Sequence, residues 1–139
     1  MGIRLRYEKE GWPTDRWPNI SFDEWADRET NDCFVDEVFL DRVQRLRNDV
    51  GHPLIITSGF RSIEHSAEKT KARPGAHTYA RAIDIQISGE RAYYLIARAM
   101  EMGFSGIGVQ QSGDHSKRFV HLDDMSSEDN FPRPALWSY

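Results

Sequence analysis

Two short segments of this chain alternate between apolar and polar residues, which is the pattern of strands that are buried on one face. In residues 81–87 isoleucine stands at every second position, so Asp84 points away from the apolar face. In residues 119–123 valine and leucine alternate in the same way, so His121 and Asp123 share the polar face. The two segments therefore predict a sheet that packs one face on a core and presents carboxylate and imidazole groups on the other.

Two long amphipathic helices are predicted to pack on this sheet. Apolar residues recur at helical spacing within residues 35–50 and again within residues 88–103, and a glycine ends each pattern. Further elements are predicted at 53–58, at 104–110 and, behind a capping box, from Ser21 to about Arg28. The order of these elements predicts an α+β fold with a small, mostly antiparallel sheet and helices packed on one face.

The length of the chain fits one domain that spans residues 1–139. No internal repeat or linker divides it. Residues 1–20 are predicted to be irregular chain pinned by tryptophans, and residues 59–76, which are rich in Lys, Arg and Glu, are predicted to form a long loop.

Composition excludes several classes of protein. The net charge of −4, with acidic and basic residues spread along the chain, argues against a nucleic-acid partner. The single cysteine, Cys33, rules out an intrachain disulfide and a cysteine-based zinc site. No segment approaches the roughly 18 apolar residues of a membrane span, and no signal peptide is recognisable. We therefore expect synthesis in the cytoplasm, no membrane insertion, and a separate exit route for any action outside the cell.

Three residues form a candidate metal site: His77, Asp84 and His121. Two imidazoles and one carboxylate are a sufficient ligand set for a catalytic zinc ion, because they leave the fourth tetrahedral position open. A carboxylate inside an isoleucine-rich strand also needs a cation or hydrogen bonds to offset its burial. The alternative is that the histidines are structural residues, since a His-x6-Asp spacing alone is weak evidence.

Arg61 is a candidate anion-binding residue because it follows a predicted buried strand directly, through a glycine turn. A guanidinium in that position can hold a carboxylate with two parallel hydrogen bonds. The alternative is an exposed loop arginine. His52 and His65 have no partner at ligand spacing, and we predict both to be surface residues.

Three sequence blocks together resemble a known family: Ser-Gly-Phe-Arg-Ser at 58–62, His-x6-Asp at 77–84 and Phe-Val-His-Leu-Asp at 119–123. The chain resembles the zinc D-alanyl-D-alanine carboxypeptidase family, whose fold is shared with the hedgehog signalling domain and several phage endolysins. Gly-Ile-Gly at 106–108 and the closing Trp-Ser-Tyr at 137–139 also resemble the small phage and bacterial members. The resemblance runs from about residue 20 to the C-terminus.

The resemblance implies that His77, Asp84 and His121 bind zinc and that Arg61 binds a carboxylate or carbonyl of a peptidoglycan stem peptide. It implies hydrolysis of a peptide bond in a D-alanine-containing stem peptide, by a carboxypeptidase or an endopeptidase. The expected protein is a monomeric phage endolysin or wall-remodelling enzyme. It would reach the cell wall through a holin pore or as part of a virion.

The chain departs from the family at the catalytic base. Many members carry an acid three residues before the last ligand histidine, where this chain has Arg118, and hedgehog-like members carry glutamate six residues before it, where this chain has His115. We predict His115 and Asp123 as catalytic candidates, although Asp123 could instead orient a ligand histidine. Two alternatives stay open: a non-catalytic zinc-containing binding domain of hedgehog-like fold, and a wall-binding module with structural histidines.

Overall fold

The computed structural model describes residues 2–139, which form short helices and strands in mixed order. The helices are α1 (Phe22–Trp25), α2 (Glu37–Val50) and α3 (Gly89–Glu101). The strands are β1 (Arg4–Arg6), β2 (Phe34–Asp36), β3 (Ile55–Ser58), β4 (Ala82–Gln86), β5 (Gly106–Gln110), β6 (Phe119–Asp123) and β7 (Ala135–Ser138).

The strands make two sheets. β1 and β2 form an antiparallel pair, and the larger sheet has the order β3-β4-β6-β5-β7. All neighbours in the larger sheet are antiparallel except β5 and β7, which are parallel. The predicted α+β class with a mostly antiparallel sheet is confirmed.

The apolar face of the larger sheet forms the core with α2 and α3. Ile83, Ile85, Val120 and Leu122 are fully buried, as their alternation in the sequence predicts. They belong to one hydrophobic cluster with α2 and α3, whose contributing residues are Phe39, Leu40, Val43, Leu46, Ala92, Leu95 and Ala99. The opposite face of the sheet carries the polar residues of β4 and β6.

The helix boundaries follow local hydrogen bonds. The capping box of Ser21 and Glu24 is present, but α1 ends at Trp25 and is shorter than predicted. The second helix begins at Glu37, two residues later than its apolar pattern, because the Asp36 carboxylate accepts a hydrogen bond from the Phe39 N–H at 3.0 Å and caps it there.

Both ends of the chain contain strands that the sequence did not predict. β1 lies within the segment 1–20 that was expected to be irregular, and β7 lies within the C-terminal tail. Each of these strands is stabilised by pairing with a distant partner rather than by an alternating pattern of its own. Among residues 2–139, no helix has the length and apolar character that crossing a bilayer requires.

Candidate metal centre

Strand pairing brings Asp84 and His121 together. They are direct partners in the β4–β6 ladder, and Asp84 Oδ1 lies 3.0 Å from His121 Nδ1. His77 arrives from the 3-10 turn Ala76–Tyr79 just before β4, with its Nε2 3.3 Å from the same Asp84 oxygen. One ligand atom from each of the three residues lies within 4.8 Å of the others, so they can hold one metal ion.

The outer nitrogen of each histidine is already bound to an acceptor. His77 Nδ1 lies 2.7 Å from the Gly59 carbonyl oxygen, and His121 Nε2 lies 2.7 Å from Asp123 Oδ2. Because a carbonyl or a carboxylate can only accept, each of these nitrogens donates its N–H. That leaves His77 Nε2 and His121 Nδ1, which both face Asp84 Oδ1, as the nitrogens that would bind a metal ion after losing any proton they carry. An acceptor on the other ring nitrogen is the arrangement found around metal-binding histidines.

Asp123 is fully buried behind His121, and all its contacts are with donors. Arg133 binds it with two parallel hydrogen bonds, from Nε at 2.9 Å and Nη2 at 2.8 Å. The Met125 N–H also donates to Oδ1 at 3.2 Å. These contacts hold the carboxylate in place, so it fixes the orientation of the His121 ring.

The pKa values of the cluster reflect burial and mutual contact. Burial lowers the pKa of His77 below its ordinary value, and the contact with Asp84 only partly opposes this. Burial also acts to lower the pKa of His121, but hydrogen bonds to Asp123 and Asp84 outweigh it, so that pKa is raised. Burial alone would raise the pKa of Asp84, but its hydrogen bonds to His121 and His77 lower that pKa well below the ordinary value. His77 and His121, whose pKa values shift in opposite directions, therefore both contact the ionised Asp84 carboxylate.

Arg61 stands at the edge of this cluster. Its Nη2 lies 3.6 Å from Asp84 Oδ2, and its Nη1 lies 3.3 Å from Glu68 Oε2. Its backbone N–H donates to the His77 carbonyl at 3.2 Å, which fixes it relative to the metal centre. The Arg61 Nε is buried without a hydrogen-bond partner, although its side chain as a whole keeps 21% of its exposure. The guanidinium thus retains donor capacity beside Asp84.

Glu68 is a buried residue that the sequence did not single out. Its side chain is 1% exposed and accepts from Lys71 Nζ at 2.9 Å, from Arg61 and from the Gly75 N–H at 3.0 Å. Burial opposes ionisation, but these donors together lower the pKa of Glu68. Glu68 therefore joins Arg61 to the segment that leads into His77.

His115 lies outside the cluster. It belongs to the 3-10 turn His115–Lys117, and its Nδ1 lies 3.3 Å from Ser88 Oγ. It lines a cavity of about 410 Å³ together with Gln86, Ser88 and Arg91. Gln86 points to the same sheet face as Asp84, roughly 7 Å further along β4. The structure thus places His115 near the metal face without bringing it into contact with the ligands.

The remaining sequence candidates are also located. His52 contacts its own neighbour, the Pro53 carbonyl, and His65 lies 3.2 Å from Glu29. Neither joins the metal cluster. Arg118, which stands three residues before His121, donates from its guanidinium to the Gly113 carbonyl and thereby closes the turn before β6.

Sequence reasoning missed Glu68 and Arg133 as parts of this site. Glu68 lies in the polar loop 59–76, where nothing distinguishes a buried acid from an exposed one. Arg133 lies in the tail, ten residues after its partner Asp123. The available signal was an acidic residue, Asp123, on the same strand face as a candidate ligand histidine, because an acid that becomes buried there needs a cation.

The sequence model of a protein family described as Peptidase M15 matches residues 22–123. The match covers well over half of the chain and includes Arg61 and all three cluster residues. No curated protein and no solved structure gives a significant match.

Proposed function

Since the chain belongs to the Peptidase M15 family and is a zinc-dependent peptidase, we propose a substrate for it. The proposed substrate is a D-alanine-containing stem peptide of peptidoglycan, which the protein cuts. The observation that carries the proposal is the convergence of His77, Asp84 and His121. Acceptors hold the outward ring nitrogens, so the inward atoms, which face one another, are the ones that would bind zinc. When bound, zinc polarises the scissile carbonyl and activates the attacking water.

We propose that Arg61 binds the substrate through a carboxylate or carbonyl oxygen. The guanidinium lies beside Asp84, so a bound oxygen would be held next to the metal centre. Its unpartnered Nε supports this role, because a buried N–H donor without an acceptor is costly unless a ligand supplies one. A stem peptide offers such groups at its terminal D-alanine and along its backbone.

We propose that Asp123 acts by positioning His121. The carboxylate is fully buried and receives hydrogen bonds from Arg133 and Met125 as well as His121. These contacts occupy the lone pairs that a proton acceptor would need. A catalytic part for His115 stays a prediction. Its place beside Ser88 requires that any such part act on a substrate that extends along β4 beyond Asp84.

We propose that the protein acts on the bacterial cell wall as a monomer, in a phage endolysin or a wall-remodelling role, after release through a holin pore or delivery within a virion. All three metal ligands and Arg61 come from one chain, so a single copy is sufficient for the chemistry.

The test is mass spectrometry of purified peptidoglycan fragments incubated with the zinc-loaded protein. The expected result is a new fragment that disappears with a chelator and with His121→Ala, but persists with the control His52→Ala, which removes a histidine outside the cluster. Loss of a terminal D-alanine would identify a carboxypeptidase, and a cut within the stem or crossbridge would identify an endopeptidase.

The contrary result favours a second candidate function. If the protein binds zinc stoichiometrically and leaves fragments from several wall chemotypes uncut, the wall-peptidase proposal fails. A non-catalytic zinc domain that binds a partner would then be favoured, because Arg118 occupies the place of an acid.

A further inference from the structure

The C-terminal strand places two aromatic residues on the metal face. Asp84, His121, Gly108 and Trp137 stand in one row across β4, β6, β5 and β7, each the register partner of the next. The Trp137 ring lies 5.2 Å from the His121 ring, measured between centroids. Tyr139 follows two positions later, so its side chain projects from the same face.

Tyr139 reaches across β5 towards the metal centre. A Cβ atom at Gly108 would lie 2.9 Å from Tyr139 Cε2 and 2.5 Å from Trp137 Nε1, so both rings cover this glycine. The Tyr139 ring also contacts Phe119 of β6, with centroids 5.0 Å apart. The Tyr139 side chain thus starts beyond β5, and its ring lies over β5 and against β6, the strand that holds His121.

The electrostatic surroundings of the phenol agree with this placement. Burial raises the pKa of Tyr139, the Trp137 side chain opposes that rise, and the charges of Asp84 and Arg61 also act on it. The hydroxyl therefore remains a neutral donor at neutral pH.

We propose that Tyr139 is a catalytic residue whose hydroxyl donates a hydrogen bond to the scissile carbonyl oxygen as that oxygen gains negative charge. The proposal rests on the peptidase function proposed above. An uncharged donor that meets developing negative charge stabilises the transition state more than the ground state. No proton leaves the phenol in this role, and no bond to Tyr139 forms.

The test is Tyr139→Phe, which keeps the ring and its contact with Phe119 and removes only the hydroxyl. We expect kcat for a peptidoglycan fragment to fall on the order of 100-fold while KM changes little, because the contact forms only in the transition state. The second readout is the affinity of the zinc-loaded protein for a phosphinate analogue of D-alanyl-D-alanine, whose tetrahedral oxygen imitates the reacting carbonyl. It should weaken by a similar factor.

The control is Tyr93→Phe, since Tyr93 is 70% exposed on α3, away from the metal face. Zinc content and thermal unfolding of all variants should match the wild type.

Two results for Tyr139→Phe would overturn the proposal. Loss of zinc or of stability in this variant alone would indicate a structural role. Wild-type kcat together with wild-type phosphinate affinity would show that the hydroxyl does not act, with the peptidase function intact. A wild-type protein that cuts nothing would instead reject the proposed function, and the phosphinate comparison would still decide whether Tyr139 donates.

Discussion

Gly106 of β5 lies opposite Asp123 of β6, and the Asp123 carboxylate occupies the space that a side chain at position 106 would fill. A Cβ atom on residue 106 would lie 2.2 Å from Asp123 Oδ1, far inside contact distance. Asp123 in turn holds the His121 ring. A glycine on a neighbouring strand is therefore part of the support of the metal centre.

We predict that Gly106→Ala weakens zinc binding roughly 10–100-fold, the range seen when a residue that orients a metal ligand is lost. The new methyl group must displace the Asp123 carboxylate, and His121 then loses the acceptor of its Nε2–H. Competition with a chromophoric chelator measures the affinity. Gly11→Ala is the matched control, because a Cβ there meets no atom within 4 Å. Equal zinc affinity in the two variants would contradict the prediction.

The sequence predicted the candidate metal ligands better than the residues that hold them in place. Alternation placed Asp84 and His121 on one face because the side-chain period of a strand is fixed by its geometry. Which strands pair, and in which register, is a long-range property, so the row from Asp84 to Trp137 was not readable. Glu68 and Arg133 lie in segments without periodicity, and only the folded chain shows that each pairs with a side chain of opposite charge at the site.

We predict that Asp123 contributes to acid stability of the zinc-free protein. Burial alone would raise the pKa of Asp123, but its contacts with His121 and Arg133 lower it from 3.8 to about 2. A depressed carboxylate pKa contributes stability that is fully present above the unfolded value and is lost as pH falls through the folded value. The contribution is on the order of 2 kcal/mol, since one pKa unit corresponds to about 1.4 kcal/mol.

The variant Asp123→Asn removes this pH-dependent part. Urea unfolding of both proteins at several pH values measures it. The difference in free energy of unfolding should be largest above pH 4 and should narrow as pH approaches 2. A difference that stays constant with pH would show that the charge of Asp123 contributes nothing and that only the shape of the side chain matters.

We predict that zinc binding releases a proton from His121. Its pKa is raised by Asp123 and Asp84 against the effect of burial, and zinc needs the lone pair of Nδ1. Below that pKa a proton competes for the nitrogen, so zinc affinity should fall by up to about tenfold per pH unit. Calorimetric titration in buffers of different ionisation enthalpy counts the released protons. Binding that is independent of pH and buffer near neutrality would refute this.

The sequence favours a catalytic part for His115, but its position in the fold favours the opposite outcome, and from that position we predict that His115→Gln retains most of the peptidase activity. His115 contacts Ser88 and lies outside the cluster of ligand atoms, so its loss leaves the metal centre intact. The expected decrease in kcat is less than about tenfold, whereas loss of a proton-transfer group costs roughly 10²- to 10⁴-fold. His121→Gln serves as the inactive reference. A decrease of the larger size, with unchanged zinc content, would establish His115 as a catalytic participant.

We predict that Glu68→Gln raises KM by roughly 10-fold or more, because the buried charge that holds Arg61 is lost and a charged hydrogen bond is worth about 1.5–3 kcal/mol. Glutamine can still accept from the Gly75 N–H through its amide oxygen, so the segment before His77 should keep its position and zinc its affinity. Steady-state kinetics on a peptidoglycan fragment and a zinc titration separate the two effects.

Glu64→Gln is the matched control, because Glu64 lies in the same loop with an exposed side chain. A Glu68→Gln protein with the KM of the control would show that Arg61 is held by Asp84 alone, and one that lost zinc would show that Glu68 supports His77 rather than Arg61.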